Sequence, residues 1–182
     1  MEWGYSRIGG GESGIAVARV RASAYVRRMT LTPMKLAIAS DHAAFDLKAD
    51  LAGWLREQGH QVEDLGPATP ERVDYPDYGY RLADAIASGR AERGIALCGS
   101  GIGISIAVNR HPDVRCALVS EPCSAALARE HNDANAIALG ARLIGPDMAR
   151  ACIAAFLETG FGGGRHGPRV EKLSKIRQDV SA

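Results

Sequence analysis

Cys98 closes the apolar run at residues 94–98 and is followed at once by Gly99, Ser100, Gly101 and Gly103. A thiolate there can take a proton or attack an electrophile, and a glycine turn exposes backbone N–H groups to an anion or a developing oxyanion. Residues 94–98 read as a buried strand and residues 104–108 can begin a helix, so the turn sets a helix N-terminus beside the thiol. A strand cysteine is often only a core residue; the turn is what gives this one a second reading. Further polar groups gather in short stretches: Ser40-Asp41-His42, Glu121-Pro122 leading to His131-Asn132, and the run 162–169. Within that run Arg165 and Arg169 are four apart, ahead of a helix that Pro168 should open and that Val170, Leu173 and Ile176 make amphipathic. Two cations at the positive end of a helix dipole are disfavoured, and an anion would resolve the conflict.

Strand-like and helix-like patterns alternate from Met34 onward. Strands are expected at 35–40, 61–65, 94–98, 114–120 and 134–139. Helices are expected where Leu47, Leu51, Trp54 and Leu55 recur ahead of Gly59, near 77–88, from the glycine turn to Arg110, and at 124–130 and 147–158. The alternation predicts an α/β fold, a Rossmann-like αβα sandwich with a five-stranded parallel sheet and right-handed crossovers. Ligands of such sheets bind beyond the carboxyl ends of the strands, where the glycine turn lies and where the other polar stretches are expected to join it.

The chain has 182 residues, 46% hydrophobic and 24% charged, with a formal net charge of +1, which fits one globular domain. No Lys/Arg stripe suggests nucleic acid and no apolar run approaches the roughly 18 residues of a membrane span, so neither is an expected partner. The four cysteines form no CxxC pair, which predicts reduced thiols and a cytoplasmic setting. The five histidines form no HxH or HExxH pair, and no metal is expected. A cysteine phosphatase would need an arginine where Ile104 stands. A dinucleotide-binding fingerprint would follow the first strand rather than the third.

The ordered motifs resemble the ribose-5-phosphate isomerase B family, which also includes galactose-6-phosphate and allose-6-phosphate isomerases. The resemblance runs from Met34 to about Ile176. It rests on Ser40-Asp41-His42, Asp74-Tyr75-Pro76, residues 98–105, Ser120-Glu121-Pro122, His131-Asn132-Asp133, and Gly163-Gly164-Arg165-His166 followed by Arg169. It implies aldose–ketose interconversion of a sugar phosphate through an enediolate, with ribose 5-phosphate as the default substrate and no cofactor. It also implies a homodimer or homotetramer whose sites are each built from two subunits.

Catalytic roles pass to Cys98, Ser100, His131 and Asp41. Cys98 would be the proton-transfer base, Ser100 and the N–H groups of Gly99, Gly101 and Gly103 would stabilise the enediolate, and His131 with Asp41 would open the ring. Some family members carry a glutamate base at the position of Ile104, which cannot take a proton, so the cysteine branch is implied. His42, Arg142, Arg165 and Arg169 would hold the phosphate, and Tyr75 and Asn132 would line the sugar pocket. Allose 6-phosphate, galactose 6-phosphate or erythrulose 4-phosphate remain open as substrates, because one carbon is often worth only about 1–3 kcal/mol. A sugar-phosphate binding module without turnover would keep the arginines and need no base.

Residues 1–33 differ from the rest: 13–33 hold four arginines and no acid. They read as an N-terminal extension, disordered or preceding the true start at Met34, with an Arg-rich targeting peptide as the other reading; residues 34–182 form the isomerase domain. A chain beginning at Met34 should therefore fold and turn over like the full one. Loss of soluble protein or a large fall in rate on truncation would show residues 1–33 to be structural.

Overall fold

The computed structural model describes residues 32–174; the N-terminal extension before residue 32, and Ile176, lie outside them. The described chain runs β1 (Lys35–Ser40), a 3-10 turn (His42–Ala44), α1 (Phe45–Glu57), β2 (Gln61–Asp64), α2 (Tyr75–Ala87), β3 (Arg93–Cys98) and α3 (Ile102–Val108). It continues through β4 (Cys116–Leu118), α4 (Pro122–Asn132), β5 (Ala136–Gly140), α5 (Pro146–Glu158), a second 3-10 turn (Gly164–His166) and α6 (Gly167–Leu173). The sheet has five strands in the order β2-β1-β3-β5-β4, and every pairing is parallel. The expected α/β sandwich is the one observed.

Period-two alternation divides the strands between two cores of different character. Leu36, Ile38, Ile95, Leu97, Ile137 and Leu139 face α1, α4 and α5, where Leu51, Leu55, Ile153 and Phe156 meet them. The opposite face is made of Ala37, Ala39, Ala96, Ala136 and Ala138, closed by Cys98, and it packs on Leu82 of α2 and Ile104 and Val108 of α3. Methyl groups let those two helices sit close to the sheet and to each other. Gly79 marks the approach: a Cβ added there would fall 2.7 Å from the Ala107 Cβ.

Element boundaries differ from the sequence reading where side chains imitate backbone. β4 covers three residues instead of seven because it is an edge strand whose outer side is met by an amide: Asn109 Nδ2 donates to the Cys116 carbonyl and Asn109 Oδ1 accepts its N–H, each at 2.8 Å. α2 starts at Tyr75, two residues before the expected start, since Pro76 is tolerated in a first turn. α4 reaches from Pro122 to Asn132 and so is longer at both ends; Glu121 caps it by accepting the N–H groups of Cys123 and Ser124. β5 lies one to two residues later than expected.

The strand order reverses between β1 and β3, which makes the gap between their carboxyl ends the topological switch point. Ser40 stands opposite Leu97 and Cys98 opposite Gly140, so the ends of three strands bound one crevice.

At the other edge, His60 is 5% exposed. Its Nδ1 accepts the Met34 N–H at 3.3 Å, and its Nε2 has no partner among the described residues. Burial lowers the imidazole below its ordinary 6.5, because the folded chain cannot solvate the cation. The unfolded chain takes that proton more readily, so the contribution of neutral His60 is present above about pH 6.5 and is lost as pH falls below it. Urea unfolding at about pH 7.5 and about pH 5.5 should show a smaller acid loss of stability for His60→Leu than for the native chain. Equal losses would contradict this.

Candidate active site

The carboxyl edge of the sheet gathers most of the expected groups. Cys98 is 4% exposed, and its Sγ accepts the Gly101 N–H at 3.1 Å as the chain enters α3. Gly101 has φ +77, and a Cβ there would fall 2.6 Å from Leu118 Cδ1 and 2.9 Å from the Leu139 carbonyl carbon, so no larger residue fits this turn without displacing β5. Gly103 lies under the Tyr75 ring: its Cβ would come within 2.6 to 2.9 Å of Tyr75 atoms, the hydroxyl included. Gly99 lies under the Arg142 guanidinium, whose Nη1 would be 3.3 Å from an added Cβ, and Arg142 donates its N–H to the Gly99 carbonyl at 3.0 Å. Gly99 and Gly103 therefore leave room for Arg142 and Tyr75, and Gly101 lets the turn lie against the end of β5. The Ser100 hydroxyl accepts the Ile102 N–H at 3.3 Å, holding it at the mouth of the turn.

Across the crevice, Asp41 donates its backbone N–H to the Leu97 carbonyl at 3.1 Å and is 7% exposed. Its Oδ1 accepts the Ala43 N–H at 2.9 Å, which caps the short turn and leaves Oδ2 for other partners. His42 follows, half-buried, with Nδ1 between the carbonyl and the N–H of Val73, at 3.3 and 3.4 Å. Ile104, at the alternative base position, is fully buried. Cys98, Ser100, Asp41, His42, Tyr75, Arg142 and the three glycines are thus brought together at one end.

His131, Asn132, Arg165 and Arg169 are not among them. α4 starts at the carboxyl edge and returns the chain about 16 Å at 1.5 Å per residue, so His131 and Asn132 lie at the amino edge of the sheet. The grouping of all strand-end motifs in one place is corrected here. The seven-residue helix expected between the fourth strand and His131 already implied the crossing.

At that edge the His131 and His166 rings stack, with centroids 4.4 Å apart and 7° between planes. The Gly162 N–H donates to the Glu130 carbonyl at 2.9 Å and ties the glycine run to the end of α4. Arg165 and Arg169 are exposed, in the 3-10 turn and the first turn of α6, and neither meets a carboxylate among the described residues. Asp133, at φ 45, is held by Arg115 and Arg129 at 2.9 and 2.8 Å. Desolvation, then His131, Arg165 and Arg169, lower the His166 imidazole below its ordinary value, as expected where positive charge accumulates. The sequence reading did not assign His166 or the arginine clamp on Asp133 to the site, although the adjacent Arg165-His166 pair was a usable signal.

Among the described residues no group of three or more His, Cys, Asp or Glu is placed to hold a metal ion, and no helix is long and apolar enough to cross a membrane. All four cysteines are free thiols.

The fold and this site define a doubly wound α/β protein with a thiol at its switch point and a separate cationic edge suited to an anion. Residues 36–173 match the ribose/galactose isomerase family model. The chain is 43% identical over 144 residues to ribose-5-phosphate isomerase B of Escherichia coli, covering 79% of this chain and 97% of that protein. It is 44% identical over 141 residues to D-erythrulose-4-phosphate isomerase of Pectobacterium atrosepticum, covering 77% and 93%. The crystal structure of a ribose 5-phosphate isomerase from Thermotoga maritima superposes with a TM-score of 0.77 at 48% identity, covering 79% of this chain and 99% of that one. The chain belongs to the ribose/galactose isomerase family and is a sugar-phosphate isomerase of the ribose-5-phosphate isomerase B type.

The four thiols differ in environment. Burial pushes Cys116 up to about 12, and burial with the Glu121 charge pushes Cys152 up to about 11, whereas Cys123 is exposed. Alkylation of the native protein near neutral pH should label Cys123 and leave Cys116 and Cys152 unmodified by peptide mass spectrometry. Early labelling of either buried thiol would contradict their placement.

Proposed function

We propose that this chain interconverts ribose 5-phosphate and ribulose 5-phosphate, with Cys98 as the proton-transfer base. The observation that carries the chemistry is the Gly101 N–H donated to Cys98 Sγ at the entrance to α3, which sets the sulfur at the switch-point crevice with a backbone donor on it. The relative named ribose-5-phosphate isomerase B, 43% identical, supports the choice of sugar.

His131, aided by Asp41, opens the furanose ring by moving a proton between the hydroxyl and the ring oxygen. The Cys98 thiolate removes the proton on C2, the electron pair passes to O1, and the enediolate is held by Ser100 and the N–H groups of the turn. A proton passes from O2 to O1, Cys98 returns its proton to C1, and the ketose results. His42, Arg142, Arg165 and Arg169 hold the phosphate.

These roles need groups from opposite edges of the sheet. The reading therefore includes a homodimer, or a homotetramer of two such dimers, in which the carboxyl edge of one copy meets the amino edge of another. Exposed Ile102, Ile106, Leu118 and Leu143 beside the glycine turn supply apolar surface for that contact. Tyr75 and Asn132 then line the sugar from the two sides. A second substrate reading, erythrulose 4-phosphate, is favoured by the relative of that name at 44% identity and is separated by a substrate panel.

Cys98→Ala should lose at least about 10²-fold in turnover of ribose 5-phosphate while still binding it, and Arg165→Ala should chiefly raise KM. After subunit exchange, an equal mixture of the two variants, assayed at ribose 5-phosphate well below the raised KM of Arg165→Ala, should recover about a quarter of native turnover, because half of the dimers are mixed and one of the two sites in each is intact. Near-native turnover by Cys98→Ala would overturn the base. No recovery after demonstrated exchange would overturn the shared site.

A further inference from the structure

We propose that Lys48 is a positioning residue for the His42 imidazole, acting through the segment 64–73. The functional part of this inference rests on the reading above in which His42 holds the phosphate.

Lys48 lies in the first turn of α1, where the helix dipole disfavours a cation, and it is 3% exposed. An ammonium is desolvated in such a place only if its protons are taken up. Lys48 Nζ meets Asp64 Oδ1 at 2.6 Å, Asp64 Oδ2 at 2.8 Å and the Pro67 carbonyl at 3.0 Å. Asp64 Oδ1 also accepts the Gly66 N–H at 2.9 Å. One buried charge therefore fixes the chain on both sides of Gly66.

That position is coupled to the crevice. The Gly66 carbonyl accepts the Ser40 N–H at 3.1 Å, directly before Asp41 and His42. The Tyr78 ring closes over Gly66 from α2, 2.9 Å from where a Cβ would be, so the segment is held from both sides. Six residues beyond Pro67, the Val73 backbone brackets His42 Nδ1 with a carbonyl and an N–H. When Nδ1 accepts the Val73 N–H, Nε2 carries the proton; when the ring is charged, Nδ1 donates to the Val73 carbonyl and Nε2–H is still a donor. Either state leaves an N–H for a phosphate, provided that Val73 stays in place. An ion pair with one partner buried contributes little to stability on balance, so the geometry points to placement of the segment as the role of Lys48.

The test uses the full chain with Lys48→Met, which keeps the length of the side chain and removes the charge. Three quantities are compared with native protein: the melting temperature, KM and kcat for ribose 5-phosphate well below the melt, and the His42 ring ¹⁵N resonances assigned with His42→Gln. KM should rise at least about fivefold with kcat within about threefold, since a remote phosphate contact acts alike in ground and transition states, and the His42 resonances should move. A lower melting temperature with unchanged KM and unchanged His42 resonances would overturn the proposal. If Lys48→Met does not fold, Asp64→Asn weakens the same strut and must show the same two changes. If the native chain proves inactive on ribose 5-phosphate, the substrate reading fails, and the His42 resonances still decide whether Lys48 positions that ring.

Discussion

A helix that crosses between parallel strands must carry the chain from the carboxyl edge of the sheet back to its amino edge, and this requirement decides where every reactive group of the protein lies. Cys98, Asp41 and Arg142 follow their strands directly and emerge at one edge. His131 and Asn132 close a crossover helix and emerge at the other. No rotamer or loop movement reconciles the two sets within one chain, because the hydrogen-bonded sheet lies between them. Divided placement is thus a property of the topology, and sharing between copies is its simplest resolution under the proposed function.

Each edge is organised by a different force. At the carboxyl edge steric exclusion dominates: Gly99, Gly101 and Gly103 leave space for a guanidinium, a strand end and a phenol ring, so that polar groups converge without needing charge to draw them together. At the amino edge charge dominates, with Arg115 and Arg129 sharing Asp133 while the exposed Arg165 and Arg169 meet no carboxylate among the described residues. Under the proposed function the first edge is preorganised for proton transfer and the second for an anion.

The fold was legible in the sequence because both faces of the sheet are covered: apolar runs such as residues 36–39 and 94–98 have no other plausible use in a βα alternation. The glycine turn and its thiol were legible because a strand, three closely spaced glycines and a helix leave little freedom. Periodicity could not report that the Asn109 amide would serve as the neighbour of β4 and shorten it. It was equally silent on Lys48, whose charge reads as a solvated face until Asp64 and Pro67 are seen around it. His131 lies at the edge opposite to the expected one because chemistry alone does not tell which way a motif is carried; the direction of α4 does.

The two cores also imply unequal rates of change over evolutionary time. On the face built from Leu36, Ile38, Leu97 and Phe156, large side chains can be exchanged for others of similar volume with modest loss. The alanines of the other face can shrink only to glycine, and none of them can grow without lifting α2 and α3 from the sheet. Divergence among descendants of this chain should therefore collect on one side of the sheet, while the side that carries Cys98 stays nearly fixed by packing even where no selection acts on the thiol itself.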